Sequence, residues 1–336
     1  MQPQANATVS KRPSRMRRAA AALAGMLLVV LLAGAAYQFV SSRHDLLTHP
    51  PPGRLVDIGG YRLHLDCMGS GAPTVVFDAG GADDSLAWYK VHPEISKHVR
   101  ACTYDRAGLG WSDPSPLPRT SRVMATELHT LLQKAQVHGP YVLVGHSLGG
   151  MNVRMFAALY PQETVGMVWV DSVYPYQYNR MPPGLRASND RYLRRFGYFE
   201  DTMPFGWPRL SGWCDHWPYP VKALRRTTEC RLRPWFTHLA EYRAFDQSSA
   251  QLSAEKPMGD IPLFVLSHDP GDHPGDMDIA WSKMQDELAL LSPDSRHLVV
   301  KGSGHMIQQD KPQAVIDAID WVVKEAATGN RLMPSA

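Results

Sequence analysis

Between residue 53 and residue 326 the chain repeats one pattern: a short apolar run, a turn rich in glycine, proline or aspartate, then a stretch with helical spacing of its apolar residues. The runs are RLVDI (54–58), YRLHLDC (61–67), TVVFDA (74–79), RACTYD (100–105), YVLVGH (141–146), GMVWVD (166–171), PLFVLS (262–267) and RHLVV (296–300). Several of the later ones are apolar throughout, as parallel strands covered on both faces must be. SRVMATELHTLLQKAQ (121–136) and KPQAVIDAIDWVVKEA (311–326) carry apolar residues three to four apart and read as helices. Strand and helix in alternation predict an α/β fold with an eight-stranded, mostly parallel sheet. The rhythm breaks between Asp171 and Ile261, where Trp207, Trp213, Trp217 and Trp235 lie among many prolines and arginines. A structureless loop of that length is improbable in a compact domain, so residues 172–258 are expected to form a helical cap over a core made of 53–171 and 259–328.

The segment before residue 53 has a different character. A basic tail (1–18, with KRPSRMRR at 11–18) runs into AAAALAGMLLVVLLAGAAYQFV (19–40), which holds no charge. As a helix it would reach roughly 33 Å, enough to cross a hydrocarbon core of about 30 Å. Positive charge ahead of the span keeps the N-terminus cytoplasmic and sends the body across. The alternative is a signal peptide cleaved after Ala33-Gly34-Ala35, leaving a secreted or periplasmic body. Either way the body is exported, and SSRHDLLTHPPP (41–52) suits a linker to it.

Six basic residues, Lys11, Arg12, Arg15, Arg17, Arg18 and Arg43, precede the first acidic one, Asp45. Setting them aside from the 35 leaves 29 basic against 32 acidic residues, so the formal charge of +3 belongs to the N-terminus. Nucleic acid is therefore not expected as a partner; a small-molecule substrate and the membrane are, and nothing identifies a protein partner. Four cysteines, Cys67, Cys102, Cys214 and Cys230, contain no C-x-x-C pair, which argues against zinc, while an even count in an oxidising compartment permits two disulfides. No phosphate-binding loop, dinucleotide fingerprint or metal-ligand pattern occurs, and no cofactor is implied.

Chemistry concentrates at Gly145-His146-Ser147-Leu148-Gly149, directly after the run YVLV and before the helical stretch MNVRMFAALY. A serine on a tight strand-to-helix turn presents its Oγ to a cleft, and the helix N-terminus behind it favours developing negative charge. Ser147 is the candidate nucleophile. His305, in the turn after the last strand, is the candidate base, and His146 a packing neighbour, because adjacent residues on the turn do not both face the cleft. Three aspartates satisfy the chain order Ser, acid, His: Asp171, Asp269 and Asp272. For an oxyanion, the glycine-rich turn after TVVFDA offers the Gly81 N–H, and the residue after the nucleophile offers the Leu148 N–H.

The stretches YRLHLDCMGSGAPTVVFDAGG, ACTYDRAGLGWSDPSP, YVLVGHSLGG and KGSGHMIQQDKPQAVIDAI resemble the α/β-hydrolase superfamily over about residues 53–326. The resemblance implies an eight-stranded sheet, a cap inserted after the sixth strand and a Ser-His-acid triad. Ser147 stands where dehalogenases and epoxide hydrolases of that superfamily carry aspartate, which disfavours those chemistries. Many members carry their acid in a G-x-x-D motif after the seventh strand; here His268-Asp269-Pro270-Gly271-Asp272 lacks that glycine and sets Asp272 one step late. Other members place it at the end of the sixth strand, where Asp171 stands, so the resemblance ranks Asp171 first. The superfamily topology sets the second and fourth strands side by side, implying a Cys67–Cys102 disulfide if they are antiparallel and a Cys214–Cys230 bridge in the cap, with buried free thiols as the alternative. The expected activity is hydrolysis of an ester or amide of a small, partly apolar substrate. A perhydrolase or carbon–carbon bond hydrolase would use the same residues, and a ligand-binding or sensing protein would keep the fold with little turnover.

Overall fold

The computed structural model describes residues 15–328 except 185, 186, 188–190, 192, 193, 195, 196, 199, 200, 219, 256 and 257. Eight strands form one sheet: β1 (Arg54–Asp57), β2 (Arg62–Met68), β3 (Thr74–Asp78), β4 (Ala101–Tyr104), β5 (Tyr141–His146), β6 (Thr164–Val170), β7 (Leu263–His268) and β8 (Ser295–Val300). Their order is β1-β2-β4-β3-β5-β6-β7-β8, and β2 alone runs against its neighbours. The eight apolar runs thus become eight strands with bounds shifted by a residue or two.

Alternation within the central strands explains why both faces are covered. Leu143, Met167 and Trp169 point into one apolar layer, while Val142, Val144, Val168 and Val170 point into the other. Helices α2 (Ser121–Lys134) and α3 (Leu148–Leu159) pack on the first face through residues such as Leu128 and Phe156; α8 (Pro312–Thr328) closes the second through Val315, Ile319 and Val322. β2 and β4 are antiparallel with Cys67 opposite Cys102, and those sulfurs are bonded across a Cα–Cα separation of 4.0 Å.

Between β6 and β7 the described residues include α4 (Lys222–Glu229), α5 (Leu232–Arg243) and α6 (Phe245–Ser253), with Cys214 and Cys230 bonded to each other. Helix α7 (Asp276–Ala289) follows β7.

The N-terminal helix α1 runs from Arg15 to Thr48, well beyond the apolar stretch. Residues 41–48, read from composition as part of a linker, are helical. The reason is tertiary: Gln38, Ser42 and Asp45 recur on one helix face and bond to the insertion, with Arg209 meeting all three. Pro50, Pro51 and Pro52 follow the helix end.

Candidate active site

Ser147 sits between β5 and α3 at φ 50° and ψ −118°, a conformation side chains rarely adopt. The turn is this tight because α3 starts against the loop after β3: a Cβ on Gly149 would lie 2.3 Å from the Asp78 carbonyl oxygen. The Ser147 N–H donates to the Val170 oxygen and its own carbonyl receives the Val173 N–H, so β6 grips the turn from behind.

Asp171, the residue after β6, is fully buried and also has a positive φ, 46°, which aspartate tolerates better than most residues. Its carboxylate accepts from His305 Nδ1 at 2.5 Å, His268 Nδ1 at 2.8 Å, Trp281 Nε1 at 2.9 Å and the His268 N–H at 3.1 Å. Burial alone would raise its pKa, but the hydrogen bonds and charges of the two histidines outweigh it and hold the acid well below the usual carboxylate range. With Nδ1 donating, His305 keeps Nε2 as an acceptor. Asp269 turns the other way, accepting from the Gly302 and Gly271 N–H groups and from Lys301, and Asp272 is exposed. Of the three candidate acids, only Asp171 is brought to His305.

His146 is buried; its Nε2 donates to the His305 carbonyl oxygen at 3.0 Å. Burial and the neighbouring His305 push its pKa down to about 4, so it stays neutral. Ser147, Leu148, Gly81, His268 and His305 line one cavity of about 550 Å³, whose walls include Tyr178, Phe245 and Trp281, a size suited to a small organic ligand. Gly81 and Leu148 abut, since a Cβ on Gly81 would lie 3.8 Å from Leu148 Cδ2. Leu148 is the first residue of α3, ahead of that helix's first internal hydrogen bond.

Sequence reasoning missed the residues that hold this loop and this acid. Arg106, buried in the turn after β4, donates to Asp78, to the Ala79 and Gly80 carbonyls and to Glu241 of α5. Glu241 in turn accepts from the Ala82 N–H, so one guanidinium ties the loop bearing Gly81 to the insertion. Its only sequence signal was the charged pair Asp105-Arg106 inside the largely apolar stretch ACTYDRAGLGW. His268 stood beside the aspartates weighed as acids, and Trp281 carried no signal. Among the described residues, no group of three or more His, Cys, Asp or Glu side chains is arranged to hold a metal ion.

Comparison with known proteins bears on this geometry. A family model described as the alpha/beta hydrolase family matches residues 75–318. An uncharacterized Bacillus subtilis protein, YqjL, is 27% identical over 264 residues, covering 78% of this chain and 88% of its own. A Hormonema carpetanum protein, efuK, named as a transporter, is 27% identical over 305 residues; the match covers 81% of this chain and 42% of that one, so this chain spans under half of its length. Among solved structures, a thermophilic esterase from Thermogutta terrifontis superposes with a TM-score of 0.56 at 22% identity, covering 79% of this chain and 94% of the esterase. The epoxide hydrolase CorEH superposes at 0.63 and 18% identity, covering 81% and 98%. At these identities the structural likeness speaks to fold alone.

Proposed function

Because this chain belongs to the alpha/beta hydrolase family, we propose that it is a serine hydrolase that cleaves an ester, or an amide, of a small and partly apolar substrate through an acyl-enzyme. Ser147 attacks the carbonyl carbon while His305 Nε2 takes the hydroxyl proton. The tetrahedral oxyanion receives the Gly81 and Leu148 N–H groups. Collapse expels the alcohol of an ester, or the amine of an amide, which takes the proton from His305, and water then repeats the sequence to release the acid. Residues 53–171 and 259–328 act as the catalytic core and 172–258 as its cap.

The observation that carries this reading is the carboxylate of Asp171 bonded to His305 Nδ1 in the cavity that Ser147 lines. That bond fixes the tautomer a general base needs and offsets the charge of the imidazolium. The test is hydrolysis of a p-nitrophenyl ester series by the full chain in detergent, beside Ser147→Ala. Activity confined to the wild type supports the hydrolase. Absence of turnover together with tight binding of an ester analogue would favour the ligand-binding protein.

The same reading makes α1 a membrane anchor with the body on the extracytoplasmic side. Its apolar residues from Ala19 to Val30 are exposed throughout. Packing gives the small residues at 33–35 a purpose other than cleavage: a Cβ on Gly34 would lie 2.5 Å from the Phe205 carbonyl oxygen.

A further inference from the structure

The contacts of α1 leave too little free helix to cross a bilayer. Ala19 to Val30 is clear of the body, but Leu31, Gly34 and Ala35 are half-buried and Gln38 is buried. Those twelve free residues reach roughly 18 Å at ~1.5 Å each, against a hydrocarbon core of about 30 Å that takes about 20 residues. A span that begins after Arg18 therefore continues to about Gln38, through the very turns that pack on the cap. Whatever touches those turns lies at the same depth.

The cap segment at that level is Met203–Leu210. Phe205 meets Gly34, and a Cβ on Gly206 would lie 2.7 Å from the Tyr37 ring. Its outward side chains are apolar: Phe205, Trp207 and Leu210 are 36%, 50% and 63% exposed. Its one cation, Arg209, faces inward and is fully buried, donating to Gln38, Ser42, Asp45 and the Cys230 carbonyl. Gln38 uses its own N–H groups on Ser42 and the same carbonyl. Polar groups that are satisfied inside the protein while aromatic and aliphatic ones face out is the arrangement a hydrocarbon boundary demands.

We propose that the cap face carrying Phe205, Trp207 and Leu210 is immersed in the leaflet through which α1 leaves the membrane, so that the partner of this surface is the lipid bilayer itself. The proposal rests on reading α1 as an uncleaved anchor. The α1–cap bond network then fixes the catalytic domain at one height and tilt on the membrane, where a tether through a flexible linker would leave it free.

The test places a nitroxide at a single introduced cysteine, Trp207→Cys or Leu210→Cys, in the full chain reconstituted into phosphatidylcholine vesicles. The four native cysteines are paired in this structure, so the label reports one site. Leu27→Cys provides the hydrocarbon reference and Leu290→Cys, 82% exposed, the aqueous one; retained ester hydrolysis checks folding. Collision accessibility to oxygen relative to a water-soluble nickel complex should be several-fold higher at 207 and 210 than at 290, approaching the value at 27. Sites 207 and 210 matching 290 while 27 reports hydrocarbon would overturn the immersion of the cap. Site 27 reporting water would overturn the anchor, and the proposal with it.

Discussion

Replacing Asp171 by asparagine isolates what the carboxylate does. Asparagine keeps the shape and tolerates the positive φ of 46°, so the backbone at the end of β6 has no reason to move. What changes is charge and donor pattern at an atom pair that now accepts four hydrogen bonds. The bond from His305 Nδ1 at 2.5 Å loses its ionic partner, about 1.5–3 kcal/mol. The new NH2 group also favours the tautomer with the proton on Nε2, which disables the base. Together these effects amount to about 4–5.5 kcal/mol, a fall in kcat of roughly 10³- to 10⁴-fold. Initial rates on a saturating p-nitrophenyl ester measure it, with Asp269→Asn and Asp272→Asn as comparisons. The reasoning fails if Asp171→Asn stays within about threefold of wild type, or if either comparison variant loses activity to a similar extent.

Removing His268 as His268→Gln should lower kcat/KM by about tenfold, since it orients the acid and lies outside the proton relay. An unchanged kcat/KM in the variant would contradict this orienting role; the hydrogen bond to Asp171 also raises the pKa of His268. By linkage, the stability His268 contributes is present below about pH 6.5 and fades as pH rises through its raised native pKa, which urea melts of wild type and variant across that window will register. Arg106→Gln leaves the Asp78 and Glu241 carboxylates buried without their cation and should cost about 3–5 kcal/mol in urea unfolding; an unchanged midpoint would refute the role given to Arg106. Gly149→Ala puts a Cβ against the Asp78 carbonyl, at about 1–3 kcal/mol of strain, and should lower Tm and kcat together, whereas wild-type values of both would show that the loop gives way freely.

The sheet was legible because its signal is local. Runs such as YVLV and GMVWV are apolar at every position, and burial on both faces is what makes them so. The turn at Ser147 was legible for the same reason, its glycines being adjacent in sequence. The candidate acid was only partly legible: the resemblance ranked Asp171 first, but in the residues themselves three aspartates share the chain order and the choice depends on where a side chain points after its strand ends. Asp269 is taken up by the Gly302 N–H on its own side of the site, while Asp171 meets groups 97 to 134 residues away. Helix 41–48 was hidden by its composition: SSRHDLLT reads as a linker until Arg209, far along the chain, supplies partners for Ser42 and Asp45. The hold of the inserted segment on α1 also changes how the protein is best handled. Cutting the chain before Ser42 would remove Gln38 from the Arg209 network, so the full chain is the form to assay.

The central claim is that Ser147 is an activated nucleophile, and covalent capture tests it most directly. The full chain is treated with a fluorophosphonate, digested, and the adduct mapped by mass spectrometry, beside Ser147→Ala. The account predicts one adduct, on the peptide containing Gly145–Gly149, absent from the variant and slowed in Asp171→Asn. Wild-type protein that hydrolyses esters yet takes no adduct at Ser147, or a Ser147→Ala variant that keeps its turnover, would contradict it.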